Sequence, residues 1–237
     1  MEKKAIAIIT ARGGSKRIPR KNIKEFCGKP IIEYSIRAAI DSGIFQEVMV
    51  STDDDEIAEI ARKAGAKVPF MRSEFTSGDY ATTRDVLMEV LGEYQKRGEN
   101  FDYMVCIYPT APFVTAAKLC QAFQILKEKD CTQVIPVVRF SFPPQRAFVI
   151  EDGEFLKYKW EEHRNSRSQD LEPFYHDAGQ FYFYDVKRYL ACEGNVSDGV
   201  YPIVLPESEV QDIDTEEDWE MAEFKYKFMQ KCLDNMK

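Results

Sequence analysis

Two clusters of charged residues have the types and spacing to handle a phosphorylated ligand. The first is Ala11-Arg12-Gly13-Gly14-Ser15-Lys16-Arg17-Ile18-Pro19-Arg20-Lys21-Asn22, directly after an apolar run, Lys4–Thr10. Two adjacent glycines let backbone N–H groups close on an anion, because no Cβ stands in the way. Arg12, Lys16, Arg17, Arg20 and Lys21 add positive charge, and Ser15 and Asn22 add neutral hydrogen-bonding groups. Together they suit a triphosphate; the alternative is a solvated basic loop. The spacing is neither GxxxxGK[ST] nor GxGxxG, so P-loop ATPases and dinucleotide enzymes fit poorly. The second cluster is Asp212-Ile213-Asp214, at the end of an expected strand, Val210–Ile213, and just before a helix. Residues i and i+2 of a strand point to the same side, so these carboxylates project together and repel unless a cation lies between them. Carboxylates combined with phosphate oxygens are the usual surroundings of Mg²⁺. The competing role for Asp214 is to cap the following helix, leaving Asp212 on the surface.

Other residues carry weaker signals. Arg72, after an expected strand, and Thr82 and Thr83, before an expected helix, stand where they can reach a base or a phosphate, although helix capping and a surface ion pair account for them better. Asp53-Asp54-Asp55 resembles a metal-binding run, but it reads better as the opening of a helix, where acidic side chains favour the positive dipole end. His163 and His176 are too far apart for a histidine metal site, and no Ser–His–Asp or Cys–His set is readable.

Short apolar runs alternating with helical periodicity must position these clusters. Strands are expected at Lys4–Thr10, Glu47–Ser51, Lys67–Met71, Tyr103–Tyr108 and Thr132–Val138. Helices are expected at Pro30–Ser42 with Gly43 as stop, Asp54–Ala64 with Gly65 as stop, Arg84–Arg97, Thr115 to about Lys129, and Thr215–Gln230. Such alternation implies βαβ units: an α/β fold, a mostly parallel sheet flanked by helices and Rossmann-like in character. The first cluster then lies at the carboxyl end of the first strand, where such sheets bind ligands. After Val138 the texture changes. Ala147–Ile150 and Phe155–Tyr158 flank Asp152-Gly153, a hairpin signal, and an aromatic run follows at Gln180–Tyr184. The whole chain, 1–237, reads as one domain, with 140–190 an extended excursion whose aromatic content fits contact with a partner.

Composition sets bounds on all this. The 237 residues are 44% hydrophobic and 30% charged, ordinary for a globular protein. A net charge of −8 argues against a nucleic-acid partner. No apolar run approaches the ~20 residues that cross a bilayer, and the first one is too short for a signal peptide, so a cytoplasmic protein without a membrane partner is expected. Six scattered cysteines, with no CxxC, point to reduced thiols and not to zinc or disulfides.

The string Ala11–Asn22 closely resembles the opening motif of the acylneuraminate cytidylyltransferases, or CMP-sialic acid synthetases. So do Gly28-Lys29-Pro30-Ile31-Ile32-Glu33-Tyr34-Ser35, Val50-Ser51-Thr52-Asp53-Asp54 through Ile57-Ala58, and Asp212-Ile213-Asp214-Thr215-Glu216-Glu217-Asp218-Trp219. Within that family the likeness runs closest to the branch acting on pseudaminic acid, on Ile107–Phe113, Phe142–Ala147, Arg167–Leu171 and Tyr175–Tyr182. Tyr108-Pro109-Thr110-Ala111-Pro112 and Asp177-Ala178-Gly179-Gln180 depart from the patterns of sialic acid enzymes. The resemblance implies transfer of CMP from CTP to a nine-carbon acidic sugar, with Mg²⁺ or Mn²⁺, in a homodimer whose 140–190 excursion reaches the partner's site. It assigns CTP to Ala11, Arg12, Gly13, Gly14, Ser15, Lys16, Lys21, Asn22, Arg72, Thr82 and Thr83, and the metal to Asp212 and Asp214. Arg12, Lys21 and Asp212 are the expected catalytic residues, and Tyr108, Gln145, His176 and Gln180 the expected sugar contacts. The alternatives are a sialic or legionaminic acid enzyme, more distantly a KDO enzyme, or a non-catalytic nucleotide-binding relative.

Overall fold

A computed structural model describes residues 3–234. The uniformly apolar first run forms β1 (Ala5–Thr10), almost wholly buried, as a central strand must be. The chain then makes a two-stranded hairpin, β2 (Glu25–Phe26) and β3 (Lys29–Pro30), before α1 (Ile32–Ser42), which Gly43 ends with φ 66°. β4 (Glu47–Ser51), α2 (Asp55–Lys63), a single turn α3 (Glu74–Ser77) and α4 (Thr83–Lys96) follow. Next come β5 (Tyr103–Ile107), α5 (Ala116–Glu128) and β6 (Gln133–Arg139). The hairpin expected around Asp152-Gly153 is present as β7 (Phe148–Glu151) and β8 (Phe155–Tyr158), both turn residues having positive φ. The chain closes with β9 (Tyr175–Asp177), β10 (Phe181–Asp185), α6 (Val186–Ala191), β11 (Val200–Leu205) and α7 (Glu216–Asp234).

The main sheet has the order β11-β6-β10-β5-β1-β4, with β9 also paired to β6. β4, β1 and β5 are mutually parallel, as are β6 and β11, while β10 runs antiparallel between β5 and β6. One face of the sheet packs α1, α2 and α5 through Ile9, Val105, Ile107, Phe181 and Phe183. The other packs α4 and α6 through Ile6, Ile8, Met104, Tyr182 and Tyr184. A third cluster, Phe26, Ile31, Phe113, Ile213 and Trp219, clamps α7 onto the β2–β3 hairpin beside the Arg12–Asn22 loop.

Three expectations need correction. Lys67–Met71 is not a strand: it makes a single bridge, Lys67 opposite Met49, before Pro69, which has no N–H to continue a ladder. Val210–Ile213 is irregular, although Ile213 is buried between the two aspartates. Finally, the excursion is narrower than 140–190. The aromatic run Phe181–Tyr184 is buried on both faces at the centre of the sheet, so only the chain between β6 and β9 leaves it.

The Asp53-Asp54-Asp55 run does open α2. The Asp54 side chain accepts from Ile57 N–H at 3.0 Å as the N-cap, and it also binds Arg20 through both guanidinium nitrogens, at 2.5 and 2.9 Å. Arg20 sits in the left-handed region, φ 56°, and this ion pair holds it there. Gly13 lies against the same carboxylate, where an added Cβ would fall 2.8 Å from Asp54 Oδ2, whereas a Cβ on Gly14 would meet nothing within 4 Å. Gly13→Ala should therefore cost about 1–3 kcal/mol by overpacking, and Gly14→Ala less than about 0.5 kcal/mol, read by urea unfolding. The Arg20 hydrogen bond holds the Asp54 carboxyl down at about 2. Its contribution is complete above the ~3.9 of an unfolded aspartate and is lost as pH falls through the folded value. Asp54→Asn keeps a capping oxygen but loses the ion pair, and should be about 1–2 kcal/mol less stable at pH 7, with the gap closing between about pH 4 and 2.

Candidate functional site

The loop after β1 is folded by its own polar contacts. Ser15 N–H turns back to the Gly13 carbonyl at 3.0 Å, and the nearly buried Asn22 ties the loop's two ends together by donating from Nδ2 to the Arg12 carbonyl at 2.8 Å. Gly13 N–H donates to Asp53 Oδ1 at 2.9 Å, so this amide is committed to the protein. Ala11 is buried, and Arg20 is spent on Asp54 and Glu56. Ala11, Gly13 and Gly14 thus shape the turn. The side chains beyond them face the ligand space.

That space is a cleft of about 540 Å³ at the carboxyl end of the sheet. It gathers Arg12, Ser15, Lys16, Lys21, Asn22, Arg72, Thr82, Thr83 and Tyr108. Arg72 is buried and fixed by Ser51, with Nε to Oγ at 3.1 Å and Nη2 to the backbone carbonyl at 2.7 Å. Burial pulls its pKa below the ordinary arginine value, while Asp53 and Glu89 push it back up. Arg72 makes no ion pair among the described residues, so its donors suit a neutral acceptor such as a base carbonyl. Thr82 caps α4 in a reciprocal box with Asp85, which brings Thr83 and the helix N-terminus to the cleft wall.

The second aspartate of Asp212-Ile213-Asp214 faces this loop. Asp214 Oδ1 is 2.7 Å from Arg17 and 3.5 Å from Lys21, and Lys21 Nζ donates to the Ile213 carbonyl at 2.5 Å. The helix cap is Thr215, paired reciprocally with Asp218, so Asp214 is free of the capping role. Although this segment lacks a strand's ladder, side chains hold its carbonyls. Lys225 Nζ donates to Val210 at 2.8 Å and Gln180 Nε2 to Glu209 at 2.6 Å, while Lys118, largely buried, pairs with the Glu209 carboxylate.

The expected sugar residues are spread more widely. Tyr108 lines the cleft and packs edge-on against Tyr182. His176 and Asp212 line a separate depression of about 310 Å³, where the run beside β6 breaks at Gly179, φ 64°. Gln145 and Gln180 are buried, each donating its amide to a backbone carbonyl and leaving its oxygen unpaired. Asp53 and Asp79 are contributors that no local pattern reveals. Asp79 bridges Arg12 and Lys16 from a loop more than sixty residues away, and only the folded chain brings them together.

A family model described as cytidylyltransferase matches residues 6–187. The pseudaminic acid cytidylyltransferase of Campylobacter jejuni is 43% identical over 94% of this chain and 97% of its own length. The CMP-N,N'-diacetyllegionaminic acid synthase of Legionella pneumophila is 32% identical over 96% of this chain and 98% of its own. Among solved structures, a CMP:2-keto-3-deoxy-manno-octonic acid synthetase complexed with CTP superposes with a TM-score of 0.67 at 17% identity, covering 96% of this chain and 99% of that one, which supports the nucleotidyltransferase fold. On the matched model and on relatives this similar along almost their full length, the chain belongs to the cytidylyltransferase family.

Proposed function

We propose that this protein activates pseudaminic acid, a nine-carbon acidic sugar, by transferring CMP to it from CTP with release of pyrophosphate. The observation that carries this reading is the meeting of Asp214 with Arg17 and Lys21 at one cleft, an acid and a basic cluster contributed by opposite ends of the chain. The near-complete match to a pseudaminic acid cytidylyltransferase supports the choice of sugar.

The sugar's anomeric oxygen attacks the α-phosphorus in line, the bond to the bridging oxygen breaks, pyrophosphate leaves, and the hydroxyl proton passes to solvent. Protein groups need only position the reactants and neutralise charge. Arg12 and Lys21 hold the α-phosphate and the leaving pyrophosphate, Ser15, Lys16 and Asn22 hold the rest of the phosphates and the ribose, and Arg72, Thr82 and Thr83 hold the nucleoside. Asp214 faces the cleft cations while Asp212 lines the neighbouring depression, so the two carboxylates do not project together as a strand would place them. Mg²⁺ or Mn²⁺ accepts one or two carboxylates when phosphate oxygens complete its shell, so Asp214, joined by Asp212 once it turned toward the cleft, would hold the ion, which when bound would add positive charge to the phosphates and acidify the attacking hydroxyl. Tyr108, His176, Gln145 and Gln180 stay as sugar contacts, the last two once an additional donor reaches their oxygens.

The enzyme works in the cytoplasm as a homodimer. The arm between β6 and β9 exposes Phe142, Ile150, Phe155 and Leu156, each more than 65% accessible, a face that a second copy would cover.

Pyrophosphate release from CTP should require both added pseudaminic acid and Mg²⁺. No release under any condition would leave a non-catalytic relative, and equal turnover of N-acetylneuraminic or legionaminic acid would move the substrate assignment. Asp212→Ala and Lys21→Ala should each lower kcat on the order of 10²–10³-fold while circular dichroism stays unchanged. Ile150→Asp combined with Leu156→Asp should shift the sedimentation coefficient from dimer to monomer.

A further inference from the structure

Four cations of the Arg12–Lys21 stretch are matched by two carboxylates that lie outside it. Arg17 and Lys21 share Asp214, and Arg12 and Lys16 share Asp79. The second arrangement mimics a bound phosphate: Asp79 Oδ1 takes Arg12 Nη1 at 3.0 Å, and Oδ2 takes Lys16 Nζ at 2.6 Å. Lys16, and Arg12 with it, hold the Asp79 carboxyl below the usual carboxylate range.

Asp79 sits on a short strap between α3 and α4. Both ends of the strap are fastened. On one side Ser73 and Thr76 bond to Glu89 of α4, and on the other the Thr82–Asp85 box closes the helix start. Between them, among the described residues, the strap's backbone bonds only to itself, Ala81 N–H to the Gly78 carbonyl, and the Tyr80 ring is 99% exposed. Its grip on the rest of the molecule is therefore the Asp79 carboxylate.

We propose that Asp79 is an internal competitor for the phosphate-gripping cations, exchanging places with the phosphates of CTP and of pyrophosphate as the strap 78–81 moves outward and back. The inference deepens the cytidylyltransferase reading and rests on it. Both ion pairs are solvent-exposed, with side-chain accessibilities of 40% to 76%, and exposed pairs are weak enough to be given up readily. A phosphate offers more charge and more acceptor oxygens to the same donors. Competition raises the apparent dissociation constant by the reciprocal of the uncovered fraction, for substrate and product alike. Asp79 thus acts through Arg12 and Lys16 as a positioning residue, lowering the affinity for the leaving pyrophosphate and favouring turnover.

The test is calorimetric binding of inorganic pyrophosphate to the full chain, with KM and kcat for CTP measured in parallel. Asp79→Asn should bind pyrophosphate about threefold to tenfold more tightly and show a lower KM for CTP with a lower kcat, while Asp79→Glu restores wild-type values. Weaker or unchanged pyrophosphate binding by Asp79→Asn, with wild type binding normally, would make Asp79 scaffolding and overturn the proposal. If wild type neither binds pyrophosphate nor consumes CTP, the cytidylyltransferase reading itself falls and takes this one with it. Independently, Tyr80→Trp should report the exchange as a change of emission on adding pyrophosphate. A probe that stays silent in a protein that binds pyrophosphate would also overturn it.

Discussion

Crowded positive charge is the constraint on which the site depends. Arg12, Lys16, Arg17, Arg20 and Lys21 leave one short loop, and like charges this close repel unless acids interleave with them. The fold supplies those acids from three distant places: Asp54 after β4, Asp79 before α4, and Asp214 before α7. Their roles differ by burial. Asp54 is three-quarters covered, doubles as a helix cap and locks Arg20 in a left-handed conformation, so that pair is architectural. Asp79 is half exposed and replaceable by a ligand. Asp214 stands between these extremes.

Much of the fold is legible in the sequence because the apolar periodicities are strong. The strands Glu47–Ser51 and Phe155–Tyr158 fall at their expected bounds, and the helices within a residue or two, because Thr115, Gly43 and Gly65 mark their ends chemically; only the last helix runs further, to Asp234 in place of Gln230. The failures have local reasons. Pro69 cuts Lys67–Met71 to one bridge. Val210–Ile213 is apolar at both ends, yet its carbonyls are bonded by the side chains of Lys225, at Val210, and Lys21, at Ile213, in place of a neighbouring strand. The centrality of Phe181–Tyr184 is readable in principle, since a run apolar on both faces has no solvent side.

The candidate site was legible to a smaller degree. The cationic loop and Asp214 announce themselves by composition, and Thr215-Glu216-Glu217-Asp218 carries a capping signature that removes Asp214 from the helix start. What no window of sequence contains is the choice of partner over distance. That Gly13 turns its amide to Asp53, or that Asp79 reaches Arg12, follows from strand order, because β4 lies next to β1 and sets the α2–α4 segment over the loop. Gln145 and Gln180 illustrate the reverse case, in which residues that look available in the sequence are enclosed by the fold.

The bond from Lys21 to the Ile213 carbonyl spans a sequence separation of 192 residues. On a ribosome this implies an order of events. The first strand and its basic loop are made before the carbonyl that receives Lys21, 192 residues later, and before the carboxylate beside it and the Trp219 helix that clamps the neighbouring hairpin. Until then Arg17 and Lys21 lack the carboxylate they share, whereas Arg20, Arg12 and Lys16 already have Asp54 and Asp79 in the emerged chain, and closure of this long loop must await the rest of the sheet. A ribosome-bound fragment lacking residues 207–219 would therefore carry the basic loop without the carbonyl and carboxylate that Lys21 meets in the full fold.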